Sequence, residues 1–163
     1  MRGGHMEQFM ELYRSVYKDL YRLAYYYLGN SQDAEDAVQE AALAAYENFG
    51  KLKKTASFRP WIFKILVNCC KKHLRRSIKA AQPQEEPEAY YEPVLSAQAE
   101  LIELLGKLTE EERLIVTLAV FGGYKGEEIA WILNKKSSTI RSKYRRALKK
   151  LELEMGQKGE MQK

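Results

Sequence analysis

Long segments of this chain repeat their apolar residues at a helical period of 3.6, and nothing reads with the period of 2 that a half-buried strand needs. A chain patterned this way is restricted to packing helix on helix, so an all-α fold is expected. Phe9, Leu12, Tyr13, Val16, Leu20, Leu23, Ala24 and Tyr27 mark one face of a first helix, which Gly29-Asn30 stops. Tyr13, Tyr17, Tyr21, Tyr25, Tyr26 and Tyr27 crowd that helix and read as aromatic core and rim rather than as a cofactor box. A second helix over about 32–49 carries Ala34, Ala37, Val38, Ala41 and Ala45, a face of small residues that lets a neighbour approach closely. On another face Asp36, Glu40, Leu43 and Glu47 fall at i, i+4, i+7 and i+11, either as solvated surface or as a docking stripe for a basic partner. A polar loop over 50–57 leads to a third helix over about 58–78, with Ser57 placed to cap it and Pro60 in its first turn. There Trp61, Ile62, Ile65, Leu66 and Cys69 are expected inside, and Lys64, Asn68, Lys71, Lys72 and Arg75 form a basic stripe outside.

Net charge is +5, but its distribution says more than its total. Residues 51–79 hold ten Lys or Arg and no acid, and 135–150 hold eight and no acid. Residues 80–112 hold nine Glu against one Lys, and 31–50 hold five acids and no base. Segregation of this kind points to separate surfaces for separate partners, polyanions among them. Residues 80–97 carry three of the four prolines and four glutamates, the composition of an extended acidic linker. The expected organisation is therefore an N-terminal helical domain over 6–79, a linker over 80–97, a C-terminal helical domain over 98–156 and a tail over 157–163. Met1 to Met6 reads Met-Arg-Gly-Gly-His-Met, so 1–5 is taken as an expression leader and His5 is set aside from chemistry.

In the C-terminal half, a short helix is expected over 99–108, and Thr109-Glu110-Glu111-Glu112 has the pattern of a capping box opening another. Its core face is Leu114, Ile115, Leu118 and Ala119, and Gly122-Gly123 ends it. Residues 126–150 then read as a helix-turn-helix. The helix 126–133 buries Ile129, Ala130 and Leu133, and Asn134 tolerates the left-handed backbone that a tight turn demands. Ser137 or Ser138 is placed to cap the second helix, where Ile140, Tyr144, Ala147, Leu148 and Leu151 are expected on the core side. Ser138, Arg141, Ser142 and Arg145 project outward near its start, and Lys149 lies further along. DNA-reading helices have that arrangement: N-terminal residues reach base edges while flanking bases grip phosphate.

Two blocks, in order and well separated, resemble the extracytoplasmic-function (ECF) sigma factors, small two-domain initiation subunits of bacterial RNA polymerase. Asp33-Ala34-Glu35-Asp36-Ala37-Val38-Gln39-Glu40, then Ser57-Phe58-Arg59-Pro60-Trp61-Ile62 through Asn68, is similar to the family's second conserved region. Residues 108–151, notably Glu127-Glu128-Ile129-Ala130 and Thr139-Ile140-Arg141-Ser142, are similar to its fourth. The resemblance implies that Asp36, Gln39, Glu40 and Leu43 bind the coiled coil of the polymerase's largest subunit, with the flap as a further contact. It implies that the loop 49–57, with Lys53 and Lys54, captures a flipped base of the minus-ten element, stacking and phosphate contact holding the strand. Asn68, Lys71, Lys72 and Arg75 would follow the DNA just upstream, and Ser138, Arg141, Ser142, Arg145 and Lys149 would dock on the minus-thirty-five element. It also implies an anti-sigma partner. Asn134 stands where the family usually has Gly, and Arg145 where it often has an aromatic residue or His, so base preference does not transfer.

The competing reading is a helix-turn-helix regulator that binds an operator and senses a ligand with its N-terminal half. The acid-free basic stretch in that half argues against it, since a sensor has no use for one. No nucleophile motif, paired-carboxylate site or phosphate loop is visible, so neither catalysis nor a cofactor is expected. Cys69 and His73 stand at i, i+4, but two further metal ligands are missing, and no metal is expected. Adjacent Cys69 and Cys70 build no disulfide framework, and no apolar run approaches the ~18 residues of a membrane span, so the bacterial cytoplasm is the expected compartment and membrane insertion is not expected.

Overall fold

Helix α1 (Arg2–Leu28) ends at Gly29, whose φ of +86° reverses the chain, and Asn30 at once caps α2 (Ser31–Asn48) by accepting from Asp33 N at 2.8 Å. A computed structural model of the chain describes residues 2–79 and 96–161, and its ordered elements among them are helices. Residues 2–5, assigned to an expression leader, continue α1, and His5 sets its ring 4.8 Å from that of Phe49. Two single 3₁₀ turns, 49–51 and 55–57, punctuate the loop that reads from sequence as irregular. Ser57 lies inside the second turn, immediately before α3 (Phe58–Lys79).

The three helices pack mutually, and Ala34, Ala37, Ala41 and Ala45 are fully buried where α1 and α3 close on α2. The inner face of α3 is wider than its periodicity indicates. Ile62, Leu66 and Cys69 are buried as expected, but so are Phe63, Val67 and Cys70, while Trp61 and Ile65 are only half-buried. The cause is tertiary: α3 packs on a C-terminal helix as well as on α1 and α2.

The C-terminal unit comprises α4 (Ser96–Leu105), α5 (Glu110–Val120), α6 (Gly126–Leu133) and α7 (Ser137–Met161). Helix α4 begins and ends earlier than expected, because Gly106 and Lys107 turn the chain while Leu105 and Leu108 both stay buried. The capping box opening α5 is complete: Thr109 Oγ1 accepts from Glu112 N, and Glu112 Oε1 accepts from Thr109 N. Helix α7 begins at Ser137, earlier than a Ser137 or Ser138 cap requires, and continues past the expected boundary at 156. The acidic linker assigned to 80–97 falls almost wholly outside the described residues. The two units lie against each other, α5 and α4 on α1, and α6 on α3.

Candidate nucleic-acid interface

The turn between α6 and α7 is made by Asn134, whose φ of 54° and ψ of 51° place it in the left-handed region. Its short amide side chain is among the few that tolerate this backbone without glycine. Below the turn Ile129, Ala130, Ile132 and Leu133 are buried, with Ile140 and Ala147 answering from α7. Tyr144 and Leu151 are half-buried, and Leu148, expected inside, is 43% exposed. The three short helices beneath α7 are not broad enough to cover its whole apolar stripe. Two ion pairs clamp α7 to the start of α5: Lys143 to Glu111, and Lys150 Nζ to Glu112 Oε1 at 2.7 Å. The Lys143 hydrogen bond holds the Glu111 carboxyl below the usual carboxylate range. Burial pushes the Glu112 carboxyl up, but hydrogen bonds from Lys150 and Thr109 outweigh it and the net shift is downward. The recognition-type helix is thus fixed by Lys143 and Lys150, while Arg141, Arg145, Arg146 and Lys149 enter none of the ion pairs formed among the described residues.

Those outer residues converge. Ser138, Arg141, Ser142, Arg145 and Lys149 are all exposed and line one shallow depression of about 300 Å³ on α7. Arg146 completes its lining and was not singled out from the sequence. Its position beside Arg145 and one turn from Ser142 is the signal that would have found it.

In the N-terminal unit Lys53 and Lys54 are exposed on the loop, and Asn68, Lys72 and Arg75 are exposed on α3. The loop's flanking aromatics do not offer stacking faces: Phe49 and Phe58 are buried, 6.0 Å apart edge to face. They anchor the loop to the core, and only half-buried Trp61, 5.8 Å from Phe58, stands nearer the surface. Lys71 is half-buried, and with Arg75 and Tyr27 it lines a pocket of about 240 Å³ opposite Glu110 and Glu111 of α5. Burial, with Glu110 nearby, pushes the Tyr27 phenol up to about 12.

On α2, Asp36, Gln39, Glu40 and Leu43 are all exposed, Leu43 at 62%. Glu40 is tied to α3, its Oε2 lying 3.3 Å from His73 Nε2 and its Oε1 3.9 Å from Arg76. Cys69 is buried, with burial raising its thiol pKa, and no group of three or more metal-ligating side chains occurs among the described residues. No described helix is long and apolar enough to cross a membrane.

Comparison with known proteins matches the two units separately and in order. The Sigma-70 region 2 family model matches residues 12–79, and the Sigma-70, region 4 model matches 98–151. The RNA polymerase sigma factor SigV of Bacillus subtilis is 30% identical over 146 residues, covering 85% of this chain and 85% of that protein. The chain belongs to the ECF sigma factors. The ECF RNA polymerase sigma factor SigM of Mycobacterium tuberculosis is 29% identical over 156 residues, covering 91% of this chain and 78% of its own. Two solved structures share the fold. CnrH in complex with the cytosolic domain of CnrY aligns with a TM-score of 0.74 at 21% identity, covering 91% of this chain and 87% of that one. The sigma factor RpoE of Bartonella quintana with the anti-sigma factor NepR aligns at 0.72 and 22% identity, covering 88% and 93%. This sigma factor directs promoter-specific transcription by RNA polymerase, and the ligand-sensing operator regulator is the less supported reading.

Proposed function

We propose that this sigma factor divides its work among three exposed faces. The observation that carries the division is that the depression on α7 is lined by three arginines, a lysine and two serines with no acid among them. That surface suits a groove of duplex DNA, arginines meeting base edges or phosphates and the serines donating to either. It is assigned to the minus-thirty-five element through Ser138, Arg141, Ser142, Arg145 and Lys149, with Arg146 added. Lys53 and Lys54 on the loop, with Asn68, Lys71, Lys72 and Arg75 on α3, are assigned to the minus-ten element and the strand upstream of it. Because Phe49 and Phe58 are buried, base capture there rests on the loop's polar and basic groups rather than on those two rings. Asp36, Gln39, Glu40 and Leu43 are assigned to the coiled coil of the polymerase's largest subunit, an exposed leucine within an acidic surface being suited to a basic helical partner. The two solved relatives are paired with the cytosolic domain of CnrY and with NepR, and an anti-sigma partner is inferred for this chain by extension. The protein is read as non-catalytic and cytoplasmic, acting through polymerase.

Run-off transcription with reconstituted polymerase and a selected promoter library tests the assignment. Arg141→Ala and Arg145→Ala are each expected to lower promoter-specific initiation about ten-fold while leaving core binding intact. Loss of core binding in either variant would defeat the placement on DNA. Asp36→Lys is the cleaner probe of the polymerase face, because Glu40 also lies 3.3 Å from His73 and 3.9 Å from Arg76 whereas Asp36 makes no ion pair among the described residues. Unchanged co-purification of Asp36→Lys with polymerase would defeat that assignment.

A further inference from the structure

Between the two units the polar and aromatic groups are occupied with each other: Lys64 stands 4.5 Å over the Trp131 ring of α6, and Tyr26 stacks on Phe121 at 4.4 Å. Another cavity uses none of these groups. It is a cleft of about 630 Å³ between the end of α5, the α5–α6 turn and the first turns of α6 and α7. The residues lining it all fall within 119–144, so the helix-turn-helix itself sets its shape. Its wall is apolar, with Tyr124, Ile129 and Ile140 buried and Ala119 and Tyr144 half-buried. Tyr124 is 8% exposed, and its hydroxyl finds no hydrogen-bond partner among the described residues. The rim is polar. Exposed Lys125 and Arg141 stand there against one acid, Glu127, and none of the three enters an ion pair among the described residues. Helix α6 also begins at this rim with Lys125 as its N-cap, a side chain unable to accept from the first-turn N–H groups. Arg141 lines this cleft and, equally, the basic depression on the outer side of α7.

We propose that the cleft binds a small amphipathic organic anion, an aryl or acyl carboxylate, with its apolar body on Ile129, Ile140 and Tyr144 and its carboxylate on Lys125 and Arg141. An occupied cleft withdraws Arg141 from the minus-thirty-five element, so the ligand weakens promoter engagement. That consequence rests on the assignment of Arg141 to DNA, whereas the binding site does not.

Size, lining and charge each select this class. Small-molecule sites occupy roughly 300–1,000 Å³ and are mostly apolar, with a few polar groups that fix orientation. A neutral apolar molecule would leave both cations of the rim unused. A multiply charged phosphate would lose its hydration over a wall of isoleucine and tyrosine that returns no hydrogen bonds. A cation would meet two positive side chains with only Glu127 to hold it. A monoanion with an apolar body uses both the wall and the rim, and the first-turn N–H groups of α6 favour the same sign of charge. Competition with DNA follows from geometry. A guanidinium can give a carboxylate two parallel hydrogen bonds, and it presents that same fork to a guanine edge or a phosphate. One arginine cannot make both pairs at once.

The test titrates the full chain with naphthoate and, in parallel, with naphthylmethanol as its uncharged analogue, following backbone amide shifts by NMR. A molecule of about 13 non-hydrogen atoms is expected to bind with a roughly millimolar Kd, its shifts concentrated in residues 124–129 and 137–144. Lys125→Ala is expected to weaken naphthoate about three-fold and leave the alcohol unchanged, and Glu127→Gln to strengthen naphthoate about two-fold. Opposite effects from two exposed side chains cannot both arise from misfolding. Ala119→Leu, which fills the cleft from α5, is expected to weaken both compounds at least about ten-fold with the remaining spectrum retained. Shifts scattered over the surface, or equal affinity for the acid and the alcohol, overturn the site. Run-off transcription by reconstituted holoenzyme is then read with and without naphthoate. Inhibition is expected with the wild type and is lost with Ala119→Leu; inhibition that persists in that variant overturns the coupling. Binding without inhibition overturns the withdrawal of Arg141 if Arg141→Ala still lowers initiation. If Arg141→Ala leaves initiation unchanged, its assignment to DNA falls instead and the binding site stands.

Discussion

Gly122 shows how one residue's lack of a side chain governs a contact between units. A Cβ built there would lie 2.6 Å from Leu118 O and 2.7 Å from Tyr124 Cδ2, closer than real contacts allow, and the first of these is backbone that cannot swing aside. The same residue's carbonyl receives Arg59. Gly122→Ala is therefore expected to destabilise the chain by about 1–3 kcal/mol through overpacking, lowering Tm by several degrees in a thermal melt. An unchanged Tm would mean that the α5–α6 turn relaxes without cost. Asn134 is the complementary case, a side chain that tolerates positive φ, and its role was legible from sequence because turn chemistry is local. Gly122 was legible only as a helix stop. Its clash partners are a carbonyl of the preceding turn and the Tyr124 ring folded back over it, and the second is not revealed by spacing.

At the scale of elements, α5 is both opened and clamped by its acidic first turn. The capping box was readable in Thr109-Glu110-Glu111-Glu112, whereas the clamps from Lys143 and Lys150 were not, since those lysines sit on α7, 32 and 38 residues away. Both clamped carboxyls are held below their ordinary value of 4.5. A carboxyl depressed in the folded state stabilises it above the unfolded pKa, and that stabilisation is lost as pH falls through the folded pKa. Denaturant melts are thus expected to show stability flat near neutrality and falling below about pH 4.5, with the fall reduced in Glu111→Gln. An identical acid slope in wild type and variant would show that Glu111 gains nothing from Lys143. The width of the buried face on α3 also belongs to this scale. Ile62, Leu66 and Cys69 follow from periodicity, but Phe63 is buried because α3 has neighbours on more than one side, among them Tyr124 at 5.2 Å. Leu148 shows the converse: its periodicity pointed inward, but none of the described helices covers it and it is 43% exposed.

For the molecule as a whole, the contact between units predicts shared unfolding. Ile129, Ile132 and Leu133 of α6 lie in one continuous buried cluster with Leu20, Leu66 and Phe63 of the N-terminal unit. Calorimetry of the wild-type chain is expected to give one transition, and Phe121→Ala with Trp131→Ala to split it in two as the units lose their coupling. Two transitions in the wild type would mean that the shared cluster contributes little to cooperativity. The sequence by itself determined the helical class, the two helical blocks, the capping box, the left-handed turn and the exposed cations of α7, because each follows from periodicity or from chemistry within a few residues. Only the tertiary structure decided which cations are spent internally, that Phe49 and Phe58 are anchors, and that Lys71 and Arg75 face Glu110 and Glu111. Those outcomes depend on which helix lies opposite, and charge and apolarity along one chain carry no record of the partner they meet across space.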